Sequence, residues 1–275
     1  MSVDWLVEHR VLDVLVLVAY VLAPRMTAQF FLNTDRRYVI AHAVALVAVV
    51  VALFGVAVAA PLWGIFCVGG FALHLQRSRA SLLSLTGAAS CVPFAFSIIS
   101  AIWFVAGTND LHLLGYNRAW SFYAVLHGSI LGWLFLGSVA HLAVRHGQGG
   151  RPTSSTAHAI ACLASFLLFL CVAFGIDGVP YIKRLGVVGF AVVVPAVIGA
   201  FAFTARGAAR WWALMSFAGI VASMALALAN EFWVAFPRVL AGMPTMVLAH
   251  GALNALVVVP CFFFAVRVDA SRSAS

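Results

Sequence analysis

Continuous apolar runs, each about 20 residues long and separated by short charged loops, limit what this chain can fold into more than any other feature. Only 9% of its 275 residues are charged and its mean hydropathy is +1.08, whereas about a quarter of the residues in a soluble domain are charged. Transmembrane strands would instead alternate apolar and polar residues over about ten positions. The sequence therefore predicts an all-α, polytopic transmembrane helical bundle.

The charged loops divide the chain into about eight or nine spans. One boundary stays open, because residues 39–59 and 61–76 are either two spans or one. We expect one transmembrane domain over residues 1–268 and a disordered tail over residues 269–275. The first run is expected to be retained, since the N-terminus lacks the basic segment and cleavage site of a signal peptide. The candidate spans are residues 11–24, 39–59, 61–76, 80–106, 120–144, 157–175, 185–204, 210–230 and 241–266.

The distribution of charge predicts the orientation. With the N-terminus outside, eleven of the sixteen Arg and Lys residues lie on the inner side and five on the outer side, as the positive-inside rule requires. We therefore expect an N-outside, C-inside, multi-pass protein of a bacterial inner or plasma membrane. Six of the eight acidic residues then fall near the outer ends of helices, either because acids avoid hydrocarbon and the inner surface or because they line an acidic vestibule.

Ionisable residues within apolar runs are costly and therefore indicate function, and we single out three of them. Glu231 ends the eighth span, and His127 and His250 lie in the fifth and ninth spans, each followed by glycine. Both histidines are expected roughly 12–14 Å below the outer ends of helices that run in the same direction, so they could face each other. The predicted catalytic residues are Glu231 as the acid, Asp177 as its helper or substitute, His127 and His250.

Aromatic and amide side chains near these residues are predicted to contact the substrate. Asn254 lies four residues after His250 and shares its helix face, and we expect both to line one cavity with His127. An aromatic-polar stripe on the fifth span, at steps of four, three and four, consists of Tyr116, Trp120, Tyr123 and His127. The predicted substrate-binding residues are Tyr123, Trp120, Asn254, Asn230 and Trp233.

Structural roles also explain each of these residues individually. A histidine or an asparagine within a membrane often hydrogen-bonds to a neighbouring helix. Glu231 is also explained by an ion pair with Arg238 in the next loop or by snorkelling to the interface. Trp and Tyr near helix ends are typical of the interfacial aromatic belt. The shared depth of the three ionisable residues is less easily explained in this way.

Motifs that would indicate metal or nucleotide chemistry do not occur in the sequence. It contains no H-E-x-x-H, no E-x-x-H pair, no G-x-S-x-G and no glycine-rich nucleotide fingerprint. His141 and His146, at the inner end of the fifth span, are predicted to be surface residues. We expect no metal and no cofactor. The net charge of +8 does not indicate nucleic-acid binding, since the cations lie in short loops and form no basic cluster.

Two of the spans resemble a known family. Residues 243–260, MPTMVLAHGALNALVVVP, resemble the H-G-x-x-N-A-x motif of the YndJ-like family of bacterial integral membrane proteins, and residues 122–133, FYAVLHGSILGW, are similar to its other histidine helix. The likeness departs after Asn254, where the family usually continues with Gly-Phe and this chain has Leu256 and Val257. This resemblance implies a transporter. In general build the chain is also similar to the small integral-membrane terpene cyclases, which use isolated intramembrane carboxyls as proton donors.

These observations leave an enzyme and a carrier as interpretations. We expect a metal-independent, terpene cyclase-like enzyme in which Glu231 or Asp177 protonates a lipophilic, terpenoid-like substrate and starts its cyclisation or isomerisation. The alternative is a YndJ-like transporter or permease for a small molecule, with proton coupling as one mode. The two His-Gly helices, 123 residues apart, hint at the duplication that is common in carriers. Expected partners are the bilayer and a lipophilic small molecule, and the small chain is compatible with a homodimer.

Overall fold

The structure is a computed structural model that describes the backbone of residues 3–240 and 243–272 and the side chains of residues 11–176, 178–240 and 244–271. Over this range nine helices are long and apolar enough to cross a membrane, which confirms the all-α, polytopic helical bundle. The orientation and the membrane in which the protein lies stay predictions. The helices are α1 (Val3–Phe30), α2 (Arg36–Leu53), α3 (Ala60–Ser78), α4 (Leu85–Thr108), α5 (Arg118–Gln148), α6 (Pro152–Asp177), α7 (Pro180–Thr204), α8 (Gly207–Phe232) and α9 (Met246–Arg272).

The second and third spans are separate helices, which resolves the boundary that the sequence left open. Helix α2 ends at Leu53, and Gly55 has a φ of +103°, a conformation that glycine adopts without steric cost. A short 3-10 turn over Ala57–Ala59 leads into α3, where Pro61 lies in the first turn. Proline is tolerated there because the first N–H groups of a helix have no intrahelical partner. The chain therefore reverses its direction within a few residues.

The ends of the outermost spans differ most from the prediction. Helix α1 covers Val3–Phe30 rather than residues 11–24. Helix α9 starts at Met246 rather than at residue 241, because β1 (Val239–Leu240) pairs antiparallel with β2 (Met243–Pro244) just before it. The last helix continues to Arg272, so residues 269–272 of the predicted disordered tail are helical. Residues 273–275 of that tail lie outside the described residues.

The chain forms two compact units, of which the first is Met1–Arg151 and contains α1–α5. Each helix from α2 to α4 packs on the helix that follows it, and α1 packs on both α5 and α2. In the most apolar stretch of α5, 72% of the residues are buried, so this helix forms the centre of the unit. Its surroundings are rich in aromatic side chains, and Tyr20 of α1 stacks on Trp63 of α3 with ring centroids 4.1 Å apart.

The second unit is Pro152–Ser275 and contains α6–α9, each packing on the next. Glycine allows α6 and α7 to approach closely: a Cβ atom added to Gly186 would lie 2.8 Å from the carbonyl oxygen of Leu168. In the most apolar stretch of α6, only 22% of the residues are buried. Most of α6 therefore faces its surroundings.

At a shift of 123 residues the helices of the second unit fall at positions that correspond to α2–α5 of the first. This shift aligns α4 with α8 and the His-Gly motif of α5 with that of α9. Residues that are identical at this shift include the pairs Phe94 and Phe217, Ala95 and Ala218, Ser100 and Ser223, Ala106 and Ala229, His127 and His250, and Gly128 and Gly251. We interpret the chain as α1 followed by two four-helix repeats, α2–α5 and α6–α9, whose boundary coincides with the boundary between the compact units.

Candidate functional site

Ser223 of α8 is the centre of a polar cluster inside the second unit. His250 Nδ1 lies 3.0 Å from the Ser223 carbonyl oxygen and 2.9 Å from Ser223 Oγ. A carbonyl oxygen only accepts, so Nδ1 carries the proton and Nε2 accepts from the Asn254 amide, 3.2 Å away. The same amide donates to Ser223 Oγ at 2.7 Å. The structure thus brings His250 and Asn254 together, around a serine that the sequence analysis did not single out.

Ser100 occupies the equivalent position on α4, but its partner is different. The Tyr20 hydroxyl lies 3.0 Å from Ser100 Oγ and 3.3 Å from the Ser100 carbonyl oxygen. These are the same two atoms that His250 contacts on Ser223. Ser100 Oγ in turn donates to the carbonyl oxygen of Val125 in α5 at 3.1 Å. In the first unit, a phenol from α1 therefore takes the position that a histidine takes in the second.

The two His-Gly motifs present different residues to these serines. A Cβ atom added to Gly128 would lie 3.1 Å from Ser100 Cβ and 3.3 Å from Ser100 Cα, so the glycine of α5 packs on Ser100. A Cβ atom added to Gly251 would meet the carbonyl oxygen of Met246, in its own helix, at 3.5 Å. In α9 it is the histidine that contacts Ser223. Relative to its serine, α9 is therefore turned about its own axis by roughly 100° compared with α5, which is the angle between successive residues of a helix.

Segments of π-helix lie at both motifs, in different positions. In α5 such a segment begins at the histidine and covers His127–Phe135. In α9 the segment Met246–Gly251 begins before the histidine, and a second segment covers Asn254–Val258. A π-turn closes between residues i and i+5 and so holds one residue more than an α-turn. The position of the π-turn relative to the motif is therefore a local difference between the two helices.

His127 lies on the exposed side of α5. Its Nδ1 is 2.7 Å from the carbonyl oxygen of Tyr123, one helical turn earlier. Because this oxygen only accepts, Nδ1 is again the protonated nitrogen, and in the neutral ring Nε2 is an acceptor. The prediction that His127 shares a cavity with His250 and Asn254 stays a prediction.

The predicted aromatic stripe forms a continuous row of ring contacts in the first unit. Trp103 of α4 stacks on Tyr116 with ring centroids 5.3 Å apart. Tyr116 contacts Trp120 at 6.2 Å, and Trp120 meets Tyr123 edge to face at 5.5 Å. The indole of Trp120 is 54% exposed. The row thus ends at the turn that carries the His127 side chain.

Glu231 is held by two cations. Its Oε2 lies 2.9 Å from Lys183 Nζ, and its Oε1 lies 3.3 Å from Arg184 Nε. Only 9% of its side chain is exposed. The suggested ion pair of Glu231 with Arg238 is wrong in its partner. The cations that contact Glu231 are Lys183 and Arg184, at the start of the neighbouring helix α7. Ammonium and guanidinium groups are strong hydrogen-bonding partners of carboxyl oxygens, so Glu231 joins the end of α8 to the start of α7.

The other predicted residues near Glu231 are placed differently. Arg238 Nη1 donates to the Asn230 carbonyl oxygen at 2.8 Å and to its Oδ1 at 2.7 Å, so the asparagine anchors the loop that follows α8. Trp233 is 57% exposed and contacts Phe236, with ring centroids 6.3 Å apart. The side chain of Asp177, the predicted helper acid, lies outside the described residues.

The interpretation of His141 as a surface residue is wrong. Its imidazole stacks on Phe30 of α1 with ring centroids 4.0 Å apart and is largely covered, because α1 packs along α5.

An apolar groove of about 540 Å³ lies between α3 and α4, lined by aliphatic side chains such as Ile65, Val68 and Ile102. Among the described residues no group of three or more His, Cys, Asp and Glu side chains is placed to hold a metal ion.

Comparison with known proteins adds no identification: no protein-family model, no curated protein and no solved structure matches the chain.

Proposed function

We propose that the protein is a carrier for a small organic solute, and that its cycle exchanges the two packings of the His-Gly motif. The observation that supports this most is the presence of both packings in one chain: Gly128 against Ser100, and His250 against Ser223. Conversion between them requires a π-turn to move along the helix, which exchanges backbone hydrogen bonds without removing them. Carriers require a bistable element of this kind.

The repeats support the same function. Membrane carriers are commonly built from internal repeats, including repeats that run in the same direction, with interrupted helices near the substrate. Helices α2–α5 and α6–α9 correspond in their bounds at a shift of 123 residues, and each set has a π-helical segment at its histidine. The resemblance to the YndJ-like family also implies a transporter.

The cyclase interpretation requires a protonated carboxyl in an apolar cavity. Both carboxyl oxygens of Glu231 instead contact cations, Lys183 and Arg184, and not an apolar cavity. Asp177 is the remaining candidate for the acid. The cyclase, its lipophilic terpenoid-like substrate and the homodimer stay predictions.

Cysteine labelling on α9 tests the carrier. Val247 and Val257 lie before and after His250 on its side of the helix. Each is replaced by cysteine in a chain whose native cysteines are alanine, and sealed vesicles are treated with a membrane-impermeant thiol reagent from either side. We expect the two positions to be labelled from opposite sides. Ser223→Ala removes a hydroxyl partner of His250 and Asn254. This change should raise the labelling rate at one of the two cysteines and lower it at the other.

Ser165→Ala is the matched control, since Ser165 is a buried serine of α6 that is 2% exposed. It should leave both labelling rates as they are in the parent. Equal changes at both positions with Ser223→Ala, or no change at either, would overturn the carrier. A lipophilic product that appears in cells with the gene and is lost with Glu231→Gln would favour the cyclase instead.

A further inference from the structure

The exposed side of α5 carries a hydrogen-bond acceptor beside electron-rich rings. The Nδ1–H of His127 donates to the Tyr123 carbonyl oxygen at 2.7 Å, which fixes the ring and leaves Nε2 as the acceptor when the ring is neutral. Tyr123 and Trp120 lie one and two turns earlier on the same face. The edge-to-face contact between these two rings, at 5.5 Å, leaves the indole 54% exposed.

This set of groups matches a cation that has an N–H group. Aromatic faces attract organic cations through the ring quadrupole, and Trp does so most strongly. An acceptor nitrogen on the same face adds a directed hydrogen bond from an ammonium N–H. An aromatic belt at the interface requires only the rings, whereas the fixed acceptor below them provides a position for the charged head of a ligand.

The local charges do not favour an anion. Residues 103–127 contain one Arg and no Lys. That residue, Arg118, lies over the Phe122 ring at 5.3 Å and 3.9 Å from Asp13, which balances its charge. The nearby loop acid, Asp110, lies 3.0 Å from His112. An anionic ligand would therefore have to compete with Asp13 for its one basic partner.

We propose that His127, Tyr123 and Trp120 form a binding site for the ammonium group of an organic amine. Nε2 of His127 accepts from the ammonium N–H, and the two rings cover its carbon-bound side. This inference rests on the proposed function in so far as it names the solute class of the carrier. Its test measures binding alone. The amine site can therefore fail while the exchange of the two His-Gly packings is confirmed, and the exchange can fail while the amine site is confirmed.

Titration calorimetry with phenethylamine tests the site on the full chain in bilayer discs of phosphatidylglycerol, which has no amine. At about pH 8 an aliphatic amine is protonated. We expect phenethylamine to bind, and its neutral analogue 2-phenylethanol and its anionic analogue 3-phenylpropanoate to bind at least about tenfold more weakly. His127→Phe, which removes the acceptor, should weaken amine binding about tenfold or more. His127→Gln, whose amide oxygen can replace Nε2 as acceptor, should retain most of it.

Trp120→Leu should weaken amine binding to a similar extent. Trp211→Leu should have no effect, since Trp211 is an exposed indole near the start of α8, in the second unit. Discs that contain phosphatidylethanolamine distinguish a free amine from a lipid headgroup as the source of the ammonium. If the affinity for phenethylamine is unchanged in these discs, the natural ligand is a free solute. If phosphatidylethanolamine competes with phenethylamine, the ligand is the lipid headgroup. Equal binding of amine and alcohol, or full binding by His127→Phe, would overturn the proposal.

Discussion

Ser100 and Ser223 occupy equivalent positions in the two repeats, yet different helices satisfy them. Ser223 is bound by the histidine of its own repeat, whereas Ser100 is bound by Tyr20 of α1, a helix outside the repeats. The Tyr20 hydroxyl contacts the same two atoms of Ser100 that His250 contacts on Ser223. A single added helix can thus free one of two duplicated histidines from a structural role.

The rotation of the motif should give the largest difference between the repeats. Gly128→Ala places a methyl group 3.1 Å from Ser100 Cβ, whereas at Gly251 the nearest contact is 3.5 Å. Both changes gain the same helix propensity. We therefore expect Gly128→Ala to be less stable than Gly251→Ala by about 1–3 kcal/mol, measured as the midpoint of thermal unfolding in detergent. Equal midpoints would mean that the two motifs face their serines in the same way.

Hydropathy predicted where most of the helices lie. The nine apolar runs correspond to the nine helices of the described residues, with errors of up to eight residues (at α1) where polar residues continue the helix or where the hairpin precedes α9. The open boundary after α2 depended on Gly55, because a glycine between two apolar runs does not by itself distinguish a turn from a helix interior.

The polar contacts between helices were much harder to predict. A single serine such as Ser223 has no periodic signature, although the shift of 123 residues would have paired it with Ser100. The partners of Glu231 lie 47 and 48 residues away in sequence, on another helix, whereas Arg238 was the nearest cation along the chain. The π-turns at the motifs depend on packing and not on a local residue pattern.

The ion cluster of the second unit should give the next largest effect. Glu231→Gln keeps the shape of the side chain but leaves Lys183 and Arg184 without their counter-charge. Because 9% of the Glu231 side chain is exposed, we expect a loss of about 1–2 kcal/mol, again seen as a lower unfolding midpoint. Asp110→Asn in the first unit is the control and should cost less than about 0.5 kcal/mol, since both partners of its ion pair are exposed. A Gln variant as stable as the parent would contradict the structural role of the ion cluster.

Removal of the competing phenol should have a smaller effect on stability. Tyr20→Phe keeps the stacking on Trp63 but removes the hydroxyl that contacts Ser100. Hydrogen bonds between membrane helices contribute about 0.6 kcal/mol on average, and the unfolding midpoint should fall accordingly. Tyr181→Phe, at a residue that is 77% exposed, should leave the midpoint unchanged. If the phenol is what frees His127, Tyr20→Phe should also weaken amine binding at α5; unchanged binding would separate the two features.

The smallest expected difference concerns the carboxylate of the first unit, Asp35, in the loop before α2. The backbone amide of Arg37, 2.8 Å from Asp35 Oδ1, is the main cause that lowers the pKa of this carboxyl; the amide of Tyr38 and the Arg77 guanidinium act in the same direction, and partial desolvation opposes them. A carboxyl whose pKa is lower in the folded state stabilises the fold above its unfolded pKa of about 3.9, and this contribution is lost as the pH falls through the folded-state value. Asp35→Asn should therefore lower the unfolding midpoint slightly at neutral pH and flatten its decline below about pH 4. Arg77→Gln retains the amide hydrogen bonds and should retain most of that decline. If Arg77→Gln flattens the curve as much as Asp35→Asn does, the ion pair, and not the cap of α2, is the source of the pH dependence.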